Sequence, residues 1–178
     1  MNDKLVKEAL AYSLGSDMHD VWRNSRRQED GTFLPRIKTT KDEEWKSEHN
    51  TDQVDIANCS FSELPIDWQF ENLEAARVAI ELVYDKAING DELTKDEVNL
   101  MASHIHDEWL KRNTWVYDPN YGDPSLTVSF QELSKEEQEK DIAQLKPAYL
   151  KVYSYREGLI DIDQICNQYG ISVLSKKM

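Results

Sequence analysis

The chain is poor in cysteine and has no long apolar run. Cys59 and Cys166 are the only two cysteines among 178 residues, and no Cys-x-x-Cys spacing occurs, which excludes a zinc knuckle or a thiol redox motif of that type. No stretch approaches the roughly 20 apolar residues of a membrane span, and residues 1–14 lack the apolar core of a signal peptide. We therefore expect a cytoplasmic protein with no membrane partner, metal or cofactor.

Positive charge is also scarce. Lys and Arg number 21 against 34 Asp and Glu, which gives a formal net charge of −13. Nucleic acids and anionic membranes repel such a chain, so general nucleic-acid binding is not expected. With 39% hydrophobic residues, among them 5 Trp and 8 Tyr, the chain nevertheless holds enough core-forming side chains to fold.

The hydrophobic pattern has the period of helices, and no convincing alternating strand is present. The strongest helix is predicted from about Asp67 to Asn89. Capping boxes at Thr94–Glu97 and Ser134–Glu137 begin two later helices. We predict an all-α fold of about five to seven helices with long structured loops, forming a single compact domain over residues 1–178.

Glycine and proline mark the expected ends of the shorter elements. An N-terminal helix should end near Gly15, and a second short helix should follow it and carry Trp22. The irregular stretch 31–60 is predicted to be a long structured loop with a short helix around 42–48.

Proline and glycine also mark the expected helix ends in the C-terminal third of the chain. Pro147 is expected to kink or split the helix that begins at Ser134, and Gly158 to end it. A short helix at about 161–170 then precedes a basic tail.

The chain contains an internal repeat. His19-Asp20-Val21-Trp22 matches His106-Asp107-Glu108-Trp109 at an offset of 87, and Phe61-Ser62-Glu63-Leu64 matches Phe130-Gln131-Glu132-Leu133 at an offset of 69. The second copy is therefore 18 residues shorter between its Trp and its Phe. We interpret the copies as two helix–loop–helix repeats, at about 17–89 and 94–156, with a groove between them. The alternative is a chance similarity between two helical hairpins.

One segment reverses the charge of the chain. From Val21 to Lys41, a segment we call the basic island, six basic side chains stand against two acidic ones, whereas the remainder has a net charge of −17. Arginine binds phosphates bidentately, and nearby aromatic rings could stack a nucleobase. Alternatively, these arginines pair with the protein's own carboxylates or bind a protein partner. The residues assigned to phosphate are Arg23, Arg26, Arg36 and Lys38.

Histidine and aromatic side chains complete the candidate site. His19 and His106 each precede a tryptophan by three residues and so share a helix face with it. They either contribute to a ligand site or are structural histidines bonded to a backbone carbonyl. Trp22 or Trp109 is expected to stack on a base. The second repeat adds a turn-rich segment that either closes over a groove or packs on the core, with Arg112, Trp115 and Tyr117.

These motifs resemble the ryanodine-receptor repeat (RyR) domain in its stand-alone microbial and phage form. The second repeat carries the resemblance best, through Ile105-His106-Asp107-Glu108-Trp109 and Ser129-Phe130-Gln131-Glu132-Leu133, although it lacks the Gly-Trp and Lys-x-His often seen in the receptor's loop. The first repeat matches through Leu64-Pro65-Ile66-Asp67-Trp68-Gln69-Phe70-Glu71-Asn72, and we include Asn72 among the ligand-binding candidates. The resemblance implies an all-α tandem module without established catalysis, associated with NAD- and ADP-ribose-derived metabolites.

Two functions of different classes follow from these features. The leading hypothesis is non-enzymatic recognition or sequestration of a small phosphorylated metabolite, nucleotide-like or ADP-ribose-like, in phage–host conflict. The alternative is an acidic protein-interaction module that imitates the phosphates of nucleic acid and occupies a host protein. A hydrolase would need a His–carboxylate pair or two carboxylates that converge in a cleft, and no spacing demands one, so no catalytic residue is assigned.

Overall fold

The computed structural model describes residues 2–172, so the basic tail lies, from residue 173 onward, outside the described residues. Within residues 2–172 the chain forms seven α-helices and one short antiparallel β-ladder, which confirms the predicted all-α class. The elements are α1 (Asp3–Asn24), β1 (Ile37–Thr39), α2 (Glu43–His49), β2 (Gln53–Asp55), α3 (Ile66–Asn89), α4 (Lys95–Arg112), α5 (Lys135–Ile142), α6 (Leu145–Arg156) and α7 (Ile162–Tyr169).

The contacts of the chain divide it into two units. The first unit comprises the residues up to Ala76 together with those from Asp163 onward, and the second unit comprises Arg77–Ile162. The division falls inside α3, which contributes residues 66–76 to the first unit and 77–89 to the second. Each of the described helices is too short or too polar to cross a lipid bilayer.

Helix α1 is continuous where two short helices were predicted. Gly15, the expected end of the first, is a buried residue in the middle of α1. A Cβ added there would lie 3.4 Å from Cζ of Phe61 and 3.5 Å from the carbonyl oxygen of Asn72. Glycine at this position therefore allows α1 to pack closely on its neighbours, and it does not end the helix.

Residues 37–39 and 53–55, predicted to be part of a long structured loop, form two short strands. Strand β1 pairs antiparallel with β2 in the register Ile37 with Asp55, Lys38 with Val54 and Thr39 with Gln53. Each strand has only three residues, which is too short for a period-two pattern to be recognised. The short helix predicted around 42–48 is present as α2, and it lies between the two strands.

Side chains from this segment fix the start of α3. The hydroxyl of Thr40 donates to Oδ1 of Asp67 over 2.6 Å, and the backbone N–H of Lys41 donates to Oδ2 of Asp67 over 2.8 Å. Asp42, which caps α2, also accepts the N–H of Ile66 at 2.9 Å. Two carboxylates thus tie the loop to the first turn of α3 and satisfy backbone donors there.

The second unit begins with the end of α3 and the start of α4. Gly90, at φ 78°, follows α3, and Thr94 forms the predicted capping box with Glu97. Nζ of Lys86 lies 2.7 Å from Oε1 of Glu97, so the turn between the two helices is held by an ion pair as well as by the cap.

Helices α5 and α6 replace the single helix expected after Ser134. Ser134 caps α5 by accepting the N–H of Glu137. The break falls at Ala143 and Gln144, before Pro147, which occupies the first turn of α6. Proline is tolerated there because the first N–H groups of a helix have no intrahelical partner.

Each unit has its own buried apolar core. In the first unit the largest fully buried side chains are Val6, Leu10, Leu14, Val54 and Phe61. In the second unit they are Ile80, Val83, Val116, Leu145 and Val152. Tyr169 of α7 belongs to the first unit, where its ring contacts those of Tyr12 and Phe61 with centroids 5.2 Å and 6.3 Å apart.

Candidate functional site

A histidine is bonded to a backbone carbonyl at the same place in both repeats. Nε2 of His19 lies 2.9 Å from the carbonyl oxygen of Cys59, and Nε2 of His106 lies 2.9 Å from that of Val128. The two histidines are 87 positions apart and the two residues that supply the carbonyls are 69 positions apart, and these are the two offsets of the repeat. A carbonyl oxygen can only accept a hydrogen bond, so Nε2 is protonated in both rings. Each histidine makes the bond expected of a structural histidine.

The surroundings of the two histidines also match. The ring of His19 stacks on that of Trp22 with centroids 5.7 Å apart, and the ring of His106 stacks on that of Trp109 at 6.3 Å. Phe61 and Phe130 are both buried, and each is the first residue of a turn with a capping box, formed by Ser60 and Glu63 in one copy and by Ser129 and Glu132 in the other. The two copies of the sequence motif therefore share their side-chain geometry.

The copies differ at the second ring nitrogen. Nδ1 of His106 lies 3.5 Å from Oδ2 of Asp141. The residue 69 positions before Asp141 is Asn72, and within residues 2–172 neither Nδ1 of His19 nor the side-chain amide of Asn72 has a hydrogen-bond partner. Asn72 is half-buried, and neither polar group is sealed from solvent, so both are open to water or to a ligand. The first unit therefore presents two polar groups that a ligand can satisfy.

His19 and Asn72 line a cavity in the first unit. Its volume is about 280 Å³, and its other walls are Trp22, Ile56, Leu64, Trp68 and Glu71. Three sequence candidates, His19, Trp22 and Asn72, are thus brought together. Trp68 was missed, although its spacing of four residues from Asn72 on α3 places both on one helix face.

A basic side chain lies near each tryptophan of the cavity, and a neutral histidine forms part of the cavity wall. Cζ of Arg26 lies 5.6 Å from the ring centroid of Trp22, and Nζ of Lys38 lies 5.6 Å from that of Trp68. Burial is the main cause that lowers the pKa of His19 below its usual value. His19 is therefore neutral at pH 7, and its Nδ1 is a hydrogen-bond acceptor.

Two arginines of the basic island bind the protein's own backbone. Nε of Arg23 donates to the carbonyl oxygen of Ala57 at 2.8 Å, and its guanidinium lies 4.4 Å from the ring centroid of Phe33. Arg26 donates to the carbonyl oxygens of Leu34 and Pro35, each at 3.0 Å. Arg23 also pairs with Oδ1 of Asp20 at 3.3 Å, as the carboxylate interpretation expected. The bonds to backbone carbonyls, which hold the chain before β1 and after β2, were not anticipated.

Arg36 and Lys38 are placed differently. Within residues 2–172 neither side chain has a hydrogen-bond or ion-pair partner, and Nζ of Lys38 lies near the ring of Trp68. The backbone carbonyl of Arg36 accepts the N–H of Ile56, a wall residue of the cavity, at 3.0 Å. Among residues 2–172 the island cations open to a phosphate are Arg36, Lys38 and Lys41, and of these Arg36 and Lys38 are joined to the cavity, through Ile56 and Trp68.

No protein-family model matches this chain, and no curated protein or solved structure matches it either. The resemblance to the RyR domain stays a prediction that rests on the repeated motifs.

The remaining candidates lie in the second unit. The ring of Trp109 meets that of Trp115 edge to face with centroids 6.3 Å apart, and Nε1 of Trp115 donates to Oδ1 of Asn113 at 3.2 Å. Arg112 is the last residue of α4. Tyr117 lines a separate open groove of about 470 Å³. In the second unit, then, Trp109 already has an aromatic partner from the chain itself.

Among residues 2–172 no three His, Cys, Asp or Glu side chains converge where a metal ion could bind.

Proposed function

We propose that the first unit is a non-enzymatic recognition module for a small phosphorylated, nucleotide-like metabolite, acting as a sensor or a sequestering protein. The observation that carries this proposal is the pair formed by Nδ1 of His19 and the amide of Asn72. Both are without a protein partner within residues 2–172, and both line one cavity with two tryptophans.

The size of the cavity limits what enters it. At about 280 Å³ it lies just below the roughly 300–1,000 Å³ typical of pockets that enclose a drug-sized ligand. It has room for one ring system such as a nucleobase, and the sugar and phosphates would stay outside. Stacking on an indole contributes about 1–3 kcal/mol per base, and this favours a planar ring beside Trp22 or Trp68.

The polar groups favour a particular kind of ring edge. Nδ1 of His19 accepts a hydrogen, whereas the amide of Asn72 both donates and accepts. A ring with an N–H beside an acceptor atom satisfies both, but a purely aliphatic ligand satisfies neither. Arg36 and Lys38 supply the positive charge for the phosphates, because charge-assisted bonds to phosphate are the strong ones.

Calorimetry and thermal shift on the full chain test the proposal. The panel comprises NAD, ADP-ribose, cyclic ADP-ribose and cyclic dinucleotides, with inorganic phosphate as the anion control. We expect at least one nucleotide to bind and inorganic phosphate not to. If no member of the panel binds, the proposal is wrong.

Matched variants locate the site. Asn72→Ala removes the amide, and Arg36→Met with Lys38→Met removes the two open cations joined to the cavity. Loss of the two cations should weaken binding by about tenfold or more, since a bond to a charged group contributes about 1.5–3 kcal/mol. Asn72→Ala should weaken it by about two- to tenfold, since a neutral hydrogen bond contributes about 0.5–1.5 kcal/mol. Lys41→Met removes a cation of the same island that lines a separate groove with Asp42, Ile66 and Phe70, and it should leave affinity unchanged. Equal affinity in all these variants would place the ligand elsewhere.

A further inference from the structure

The ring of His106 is bonded through one nitrogen and faces a carboxylate with the other. His106 is 3% exposed, and its Nε2–H is bound to the carbonyl of Val128. Nδ1 lies 3.5 Å from Oδ2 of Asp141, which is itself 8% exposed. The pair joins α4 to α5 in a place where water does not screen the two groups from each other.

The number of protons on this pair decides whether its contact is attractive. With one proton between Nδ1 and Oδ2, the pair is either imidazolium with carboxylate or imidazole with carboxylic acid, and in both the two groups attract each other. With no proton there, the lone pair of Nδ1 faces a carboxylate that burial has stripped of water, which is repulsive. The contact between α4 and α5 therefore needs that proton.

The first unit has no such requirement. Asn72, in the position of Asp141, is uncharged and carries its own N–H groups. His19 is also 3% exposed and bound through Nε2. An added proton on Nδ1 would create a buried cation with no carboxylate in the place of Asp141, and burial is the main cause that lowers the pKa of His19.

We propose that the His106–Asp141 pair is a one-proton latch between α4 and α5, so that mild acidification strengthens the second unit while it weakens the first. The proposal is independent of any ligand. A single exchange between repeats, Asn72 for Asp141, gives the two units opposite responses to pH.

The other charges around the His106–Asp141 pair do not change the direction of this response to pH. Burial is the largest influence on Asp141 and raises its pKa to about 6; His106 and Lys140 act to lower it, and Glu137 acts to raise it. Lys140 and Glu137 are 2.6 Å apart and largely offset each other. The charged side chains on neighbouring elements are Glu132, which is bound to Ser129, and three cations of α6: Lys146, Lys151 and Arg156.

The charged groups near His19 influence its pKa less than burial does. Arg23 acts to lower the pKa of His19 and Asp20 to raise it. Two more carboxylates lie on neighbouring elements: Glu63, which is bound to Ser60 in the adjacent turn, and Glu71 of α3.

Hydrogen exchange on the full chain, read segment by segment between about pH 5 and pH 8 and expressed as protection factors, tests the latch. This range lies above the titration of the carboxylates with lowered pKa, such as Asp42 and Glu97. Protection of α5 should fall as pH rises through about 6, and protection of α1 around His19 should fall as pH drops below about 6.5. One proton changes protection by at most about tenfold per pH unit. Slopes of the same sign in both units would overturn the proposal.

Reciprocal variants provide the second test. Asp141→Asn should abolish or reverse the pH slope of α5, and Asn72→Asp should give α1 a falling slope like that of α5. The Hε1 chemical shift of His106, followed by NMR, should lose its coupling to a carboxylate titration in Asp141→Asn. An unchanged α5 profile in Asp141→Asn would contradict the latch, and the wild-type comparison of the two units remains decisive if Asn72→Asp does not fold.

Discussion

The ring of Phe61 packs against Gly15, so closely that a Cβ on Gly15 would lie 3.4 Å from Cζ of Phe61. Phe61 is 1% exposed, and it belongs to the repeated motif beside His19. Helix α1 therefore packs on this motif at a residue without a side chain.

Replacing Gly15 tests this packing. Gly15→Leu should destabilise the chain by about 1–3 kcal/mol, since extra methylenes in a packed core force neighbours to shift. Gly15→Ala should stay within about 1 kcal/mol of wild type, because the better helix propensity of alanine offsets a tight contact. Urea unfolding followed by tryptophan fluorescence measures both, and equal stability of the two variants would mean that α1 does not approach Phe61 so closely.

Gly122 has a different requirement. A Cβ there would collide with the carbonyl oxygens of Val116 and Asp118, which are backbone atoms and cannot rotate away. We expect Gly122→Ala to lower the free energy of unfolding by about 1–3 kcal/mol. Thermal unfolding measures this, with Asn120→Ala in the same exposed turn as the control that should leave stability unchanged. A neutral Gly122→Ala would show that the turn adopts another backbone path.

Arg23 and Arg36 should separate stability from binding. Arg23→Ala leaves the carbonyl of Ala57 without its donor, and a lost bond to a charged group costs about 1–3 kcal/mol. Arg36→Ala removes an exposed side chain with no partner within residues 2–172, so the stability should change by less than about 0.5 kcal/mol. Calorimetric unfolding distinguishes the two, and a destabilised Arg36→Ala would remove it from the list of open cations.

Glu97 predicts a pH effect in the acid range. The bond from Lys86, followed by those from Thr94, lowers the pKa of Glu97 to about 2. Its stabilising contribution is therefore present above the usual pKa of a glutamate and is lost as pH falls toward about 2. The melting temperature of Glu97→Gln should be below that of wild type at neutral pH, and the gap should close near pH 2. The exposed Glu92→Gln is the control, and a constant gap across this range would contradict the assignment.

Local patterns identified several elements because local interactions form them. Thr94 and Glu97 cap α4 with groups only three residues apart, and the stripe on α3 lies on a single helix. The three-residue strands and the continuity of α1 were missed because both depend on distant partners: β1 is held by β2, and Gly15 is accommodated by Phe61 and Asn72.

The sequence by itself determined that the chain is helical, acidic and internally repeated, since composition, periodicity and offset are properties of the order of residues alone. Only the tertiary structure decided what the charged and polar candidates do. It gave Arg23 and Arg26 backbone carbonyls to bind, and it left Nδ1 of His19 without the carboxylate that Nδ1 of His106 faces. The reason is physical: whether a buried polar group is satisfied depends on atoms that folding brings to it from elsewhere in the chain, and no local pattern records them.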